Sequence, residues 1–339
     1  MAFAEKISVI VCTYNQEHTI QRTLESILSQ QCSWPIEIII GEDSSTDNTR
    51  SICQQYAQQY PSQIRLFANA HNKGLLNNYF DCLLQAKGKY IAELAGDDEW
   101  CDPLKLEKQK DILEQHPDIV LVHTDYQIRK SLPDQEKEII CSSPDNPYPQ
   151  EAFIDGKLLT QFILTQTNRP VVHLCTAMYR NEVFRTIYTQ QTDMLRNPLY
   201  PCEDLPMTAF FSRFGKFAYL NQITLNYSVS TTLSNTNDEC RQFEFVKRCT
   251  QLSYDLMLRI GLPRDAKFES YFSYRVFALL MHAFRTHRKD LRTETRKCAS
   301  RWNAHLELRT LFVALLTSND TLWSLSLFFR KQLLKLFRH

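Results

Sequence analysis

Two adjacent carboxylates, Asp97 and Asp98, end an apolar run in the string KGKYIAELAGDDEW, residues 87–100. Tyr90–Leu94 reads as a buried strand, so Gly96 and the two acids fall at the rim of a sheet. Neighbouring carboxylates repel each other unless a cation lies between or in front of them. A hard divalent ion is the usual resolution, above all where it also holds a phosphate. The pattern therefore points to chemistry on a phosphorylated donor. A solvated turn before a helix is the plainer reading of the same pair. A second acid pair, Glu42-Asp43, opens the loop GEDSSTDNT, and a third, Glu203-Asp204, stands in YPCEDLPMTAFF. Asp43 with Ser44, Ser45 and Asp47 also suits helix capping, and Asp204 suits a helix start, where an acid meets the positive end of the helix dipole.

The elements that must position these acids alternate. ISVIVC (7–12), IEIII (36–40), Ile64–Phe67 and Tyr90–Leu94 read as strands; residues 18–30, 47–60 and 75–86 read as helices. Strand–helix alternation with short loops makes a doubly wound, mostly parallel sheet, whose ligands bind at the carboxyl ends of the strands. The loops TYN, GED and GDD all fall at that edge. Further on, 131–150 reads as a surface excursion, 172–179 as a strand, 205–214 as a helix, FAYL and ITLNY as two short strands, and the chain after about 240 as helical. The expected division is a catalytic domain over 1–235 and a helical appendage over 236–339.

Composition narrows the class. The 339 residues carry a net charge of +1, which argues against a nucleic-acid partner. The 11 cysteines are scattered without a C-x-x-C pair, MAFAEK lacks the apolar core of a signal peptide, and no run is long enough to span a bilayer. Free thiols and a cytoplasmic location are the expectation. The loop after the first strand, CTYNQEH, has no glycine, and no G-x-x-x-x-G-K-[ST] occurs, so a diphosphate would have to be held without a glycine cradle.

ISVIVCTYN, EIIIGEDSSTDNT and KGKYIAELAGDDEWCDPLKLEKQ, in that order, resemble glycosyltransferase family 2, enzymes of the GT-A fold. The resemblance covers residues 6–127, continues more weakly over about 170–230 and fades after 240. It implies a Rossmann-like sheet with helices on both faces. It also implies an inverting, hexosyltransferase-type transfer from a nucleotide-diphosphate sugar, with Mg2+ or Mn2+. UDP is the family's commonest nucleotide. Carried over by position, Thr13, Tyr14 and Asn15 lie in the loop that frames the base, and Asp43 matches the carboxylate that bonds the base. Lys73 and Asn78 fall in the segment that closes over the nucleotide. Asp97 matches the residue near the ribose, Asp98 the metal ligand, and Asp204, with Glu203 beside it, the catalytic base. Two departures stand out: no Arg occurs in HNKGLLNN, and Ser228 and Ser230 follow Tyr227 where relatives carry Arg and His. The implied acceptor is a saccharide or lipid-linked saccharide, as in cell-surface polysaccharide synthesis. The alternatives are a nucleotidyltransferase and a non-catalytic nucleotide-sugar binding module.

The last segment, LWSLSLFFRKQLLKLFRH, combines Leu and Phe with Arg330, Lys331, Lys335 and Arg338 and contains no acid. Two readings stay open: a packed appendage with a solvated basic face, or a helix lying peripherally in the anionic inner face of the plasma membrane.

Overall fold

The computed structural model describes residues 3–132, 135–142, 152–167, 171–229 and 238–336. The chain divides into two compact units, Met1–Pro198 with Cys202–Ser230, and Leu199–Pro201 with Thr231–His339.

The first unit is an α/β sandwich. Strands β1 (Ala4–Thr13), β2 (Ile36–Glu42), β3 (Ile64–Ala68) and β4 (Gly88–Ala95) alternate with helices α1 (Ile20–Leu28), α2 (Thr49–Gln59) and α3 (Leu75–Leu83). β1 pairs in parallel with β2 and β4, and β2 with β3. The β-branched runs explain the choice: Ile7, Val9, Val11, Ile38 and Ile40 are fully buried, packed with Ile20, Leu24 and Ile27 of α1. Continuous burial along a strand requires cover on both faces, which the helices supply.

The sheet then changes character. β5 (Glu99–Trp100) and α4 (Lys105–Gln115) precede a hairpin, β6 (Ile119–Leu132) and β7 (Gln135–Ser142), so the expected excursion at 131–150 begins as paired strand; residues 143–150 lie outside the described residues. β8 (Ala152–Asp155), α5 (Gly156–Leu164), a 3-10 turn at Leu174–Thr176, β9 (Met178–Arg180), α6 (Asn181–Leu195), α7 (Asp204–Phe211) and β10 (Lys216–Val229) complete the unit. The order across the sheet is β3-β2-β1-β4-β9-β6-β10-β5. β9 runs antiparallel to both β4 and β6, while β6 and β10 are parallel.

Two expectations need correction. Residues 172–179 are not one strand: the His173 carbonyl and Nδ1 accept the amides of Thr176 and Cys175, which curls the chain into a turn and leaves only three residues to pair. FAYL and ITLNY are not two strands but one, β10, broken in register between Leu220 and Ile223, where the polar Asn221-Gln222 pair bulges out of the ladder.

The second unit is helical: α8 (Glu239–Ile260), α9 (Ala266–Thr286), α10 (Lys289–Arg301), α11 (Leu308–Leu316) and α12 (Asp320–Leu336). Asp238 and Asp265 cap α8 and α9 by accepting backbone amides, and Gly261 ends α8 in the left-handed conformation. Phe243, Leu252, Leu256, Phe268, Phe272 and Trp302 form its core. Ten of the 11 cysteines are thiols outside any disulfide.

Candidate active site

The carboxyl ends of β1, β2 and β4 meet at one rim. At the β1 end, Thr13 is buried and its hydroxyl donates to Gln16 Oε1 at 2.8 Å. Tyr14 is exposed. Asn15, at φ 53°, accepts the Thr46 amide on Oδ1 at 2.8 Å and donates its own amide to Ser45 Oγ at 3.0 Å. Gln16 N–H donates to Thr49 Oγ1 at 2.7 Å, and Glu17 N–H to Asp47 Oδ2 at 3.1 Å. The first two loops are thus fastened to each other by side chains, where a glycine-rich loop would use bare backbone.

At the β2 end, Glu42 is fully buried and holds the Arg50 guanidinium and the Ser45 amide. Asp43 is also buried. Its Oδ1 accepts from Lys73 N (2.8 Å) and Asn69 Nδ2 (2.9 Å), and its Oδ2 from Gly74 N (2.9 Å). Gly74 has φ 78°, a backbone conformation that costs glycine nothing, and it turns its amide and that of Lys73 onto one carboxylate. Asn78 donates to Gly41 O and accepts from Asn69 Nδ2. Asp43 therefore shapes the 69–74 loop. Lys73 contributes its amide to that loop; its ammonium pairs with Asp81 at 2.9 Å.

The β4 end differs. Asp98 is 1% exposed; Oδ1 accepts the Ser228 amide at 2.8 Å, and Oδ2 has no hydrogen-bond partner among the described residues. Burial, then the neighbouring Asp97, pushes Asp98 up to about 8, against the Ser228 amide, the Cys175 thiol and Arg22. Asp97 is raised by burial, with Arg22 and Gln16 opposing. Arg22 Nη2, on α1, lies 3.5 Å from both Asp97 O and Ser228 Oγ. Gly96 admits no Cβ, since one would strike the side chains of Gln16 and Thr13. Ser230 lies outside the described residues.

Beside these ends opens a cavity of about 380 Å³. Of the expected residues, Thr13, Tyr14, Asp43, Asn78 and Asp204 line it, whereas Asn15, Lys73, Asp97 and Asp98 do not. Asp204 is the first residue of α7, and Glu203 precedes it. Burial, then the Asp204 and Glu93 carboxylates, drives Glu203 well above the usual carboxylate range. Glu93 and His173 also line the cavity and were not expected from sequence. Glu93 is raised to about 7, first by burial and then by Asp204, against the hydroxyls of Tyr179 and Tyr79. Burial pushes His173 down, with Asp204 opposing. A charged residue inside the apolar run YIAEL was a visible signal for Glu93; nothing in the sequence marked His173, which packs edge-on to Tyr227 at 4.8 Å.

An α/β sheet whose strand ends gather acids around a cavity defines a nucleotide-handling class of fold. The model of Glycosyl transferase family 2 matches residues 8–188, and the chain belongs to that family. It is 34% identical over 161 residues to an uncharacterized protein of Mycobacterium tuberculosis, covering 48% of this chain and 45% of the relative. It is 36% identical over 95 residues to WfgD of Escherichia coli, a UDP-Glc:alpha-D-GlcNAc-diphosphoundecaprenol beta-1,3-glucosyltransferase, covering 28% and 36%. The chain thus spans under half the length of these curated relatives. The fold is shared with S. aureus TarS (TM-score 0.51, 16% identity, 89% and 93% covered). It is shared too with the mannosyltransferase PcManGT of Pyrobaculum calidifontis, solved with GDP-Man and Mn2+ (TM-score 0.51, 14% identity, 97% and 89% covered). These likenesses bear out the GT-A architecture that the family resemblance implied.

Proposed function

We propose that this chain is an inverting glycosyltransferase that moves a hexosyl unit from a nucleotide-diphosphate donor, UDP-linked, to a hydroxyl of a saccharide or lipid-linked saccharide. The observation that carries the reading is that Thr13, Asp43 and Asp204, from three separate stretches of chain, line one cavity at the strand ends. The nucleotide lies along Thr13, Tyr14, Asn78 and the loop that Asp43 holds, with Asp97 towards the ribose. Asp204 accepts the proton of the acceptor hydroxyl as its oxygen bonds to the anomeric carbon. The bond to the diphosphate breaks on the opposite face and its electron pair leaves with the diphosphate. Burial and the neighbouring carboxylates favour the neutral form of Glu203, which makes it a poor acceptor for that proton.

The residues present fit a divalent ion. Asp98 Oδ2 is a buried carboxylate oxygen without a hydrogen-bond partner among the described residues, and Asp97 adjoins it in sequence. Among the described residues no group of three or more His, Cys, Asp or Glu forms a metal cluster. Mg2+ or Mn2+ would take one or two carboxylates here and complete its shell with phosphate oxygens and water. When bound, such an ion offsets charge on the leaving diphosphate. The PcManGT complex with Mn2+ supports this by analogy. Incubation with a panel of nucleotide sugars and Mn2+, following nucleotide release, tests the reading: no release from any donor would leave a binding module.

A cytoplasmic enzyme held peripherally on an anionic membrane face is the location we propose. Support comes from α11 and α12, where Leu308, Leu311, Phe312, Leu315, Leu325, Phe328 and Phe329 are exposed. Scattered exposed apolar residues are ordinary, but helical spacing over two successive helices is an interaction face. Arg330, Lys331 and Lys335 follow with no acid between them. Among the described residues no single helix is long and apolar enough to cross a membrane; α11 and α12 meet that measure only as a pair, bent by 109°. Sedimentation with phosphatidylglycerol vesicles, lost in Phe328→Glu/Phe329→Glu and absent with neutral vesicles, checks this location.

A further inference from the structure

The cavity that Asp204 borders has four carboxyl groups in its lining, those of Asp43, Glu93, Glu203 and Asp204, and no Lys or Arg is among the described residues lining it. Glu93 is the most telling of these acids. It points away from the main core, which takes Tyr90, Ala92 and Leu94 from the alternate positions of β4. It is 6% exposed, and its Oε1 receives the hydroxyls of both Tyr79 and Tyr179. Its Oε2 receives none from the described residues. One oxygen is anchored from two sides and the other is left to whatever fills the cavity. That oxygen is open to hydrogen bonding by a sugar hydroxyl in the cavity, which can both donate and accept.

We propose that the cavity selects donors whose sugar is uncharged, with Glu93 accepting a sugar hydroxyl and turning away uronic acids; this rests on the sugar-transfer reading above. A uronate carboxylate placed here would meet Asp204 and, above about pH 7, the ionised Glu93, with no Lys or Arg among the described lining residues to pair it, and a buried charge in that setting is strongly disfavoured. The crowding is already felt by the acids present, since like charge adds to burial in raising both Glu93 and Glu203. His173, the imidazole in the lining, is held towards its neutral form by burial and offers no standing positive charge.

The test is calorimetric binding to the full chain with Mn2+, using donor pairs that differ only at C6: UDP-glucose with UDP-glucuronate, UDP-galactose with UDP-galacturonate, and GDP-mannose with GDP-mannuronate. The expected result is that the neutral member of the pair that binds does so at least about tenfold more tightly. Glu93→Gln keeps an acceptor for both tyrosines but removes the charge that Glu93 carries above about 7, and in a buffer above that value it is expected to narrow the ratio several-fold. A merely structural role would leave the ratio between pair members unmoved. Equal or tighter binding of the uronate overturns the proposal, as does an unchanged ratio in Glu93→Gln. If no member of any pair binds, the donor reading itself fails, a distinct outcome from selectivity in the wrong direction.

Discussion

The ends of β2 and β4 both present buried aspartates at the same rim, yet they are finished in opposite ways. Asp43 has three donors from residues 69–74 on its two oxygens. Asp98 has one backbone donor on Oδ1 and none on Oδ2 among the described residues. A satisfied carboxylate contributes to the fold before any ligand arrives. An unsatisfied one is a cost that the fold carries until something positive binds. The difference separates an acid that builds the site from an acid that waits for its contents.

The sharpest break of this comparison is catalytic. Asp98→Ala and Asp204→Asn are each expected to lower kcat by about a thousandfold, with nucleotide affinity falling in Asp98→Ala and little changed in Asp204→Asn. Near-normal turnover in Asp204→Asn would remove it as the base. Chelation should weaken nucleotide binding in the wild type and not further in Asp98→Ala; calorimetry in EDTA reads both.

Stability is the next largest effect. Asp43→Ala leaves three donors short of an acceptor and should cost about 2–3 kcal/mol in urea unfolding. Asp98→Asn, measured in EDTA, should cost nothing or stabilise. If both variants destabilise alike, the contrast between the two ends is lost.

Glu93 supplies a smaller, pH-resolved effect. Its folded value, about 7, lies above the ordinary 4.5, so folding favours the protonated form. Its contribution is fully present below about 4.5 and is lost as pH rises through about 7. Unfolding midpoints of the wild type should fall over that window relative to Glu93→Gln, and parallel curves would contradict the assignment. The smallest effect belongs to Lys73→Ala. Its half-exposed pair with Asp81 is worth no more than about 1 kcal/mol, and nucleotide affinity should stay within about twofold. A tenfold loss would mean that the ammonium leaves Asp81 for the donor.

The first half of the sheet was legible because its signals are local. The runs around Val9 and Ile38 and the i, i+4, i+7 spacing of Ile20, Leu24 and Ile27 state strand and helix without reference to distant chain. The later elements depend on partners far away. β9 is three residues long and exists because β4 and β6 flank it, and β10 stays one strand through its bulges because β6 runs alongside. For the site, the ordered acid motifs led to Asp43, Asp98 and Asp204. What they could not tell is which oxygen of Asp43 or Asp98 is already taken, since the Lys73, Gly74 and Ser228 amides come from remote loops. Glu93 stands out as an acid inside the apolar run YIAEL, but a single acid in a strand has no spacing that assigns it a role.

With only 7 glycines in 339 residues, the loops that follow β1 and β2 are bracketed by Asn15, Ser45, Asp47 and Thr49 rather than left pliant. Asn15 and Ser44 hold positive φ there without being glycine, so that stretch has fewer alternative shapes to relax into. A mouth built this way behaves as a mould, not a hinge. Its ordering entropy is spent once, when the chain folds, and not again at each turnover. Stopped-flow nucleotide binding should accordingly follow a single concentration-dependent phase, with no slow rearrangement of the 13–17 and 43–49 loops trailing behind it.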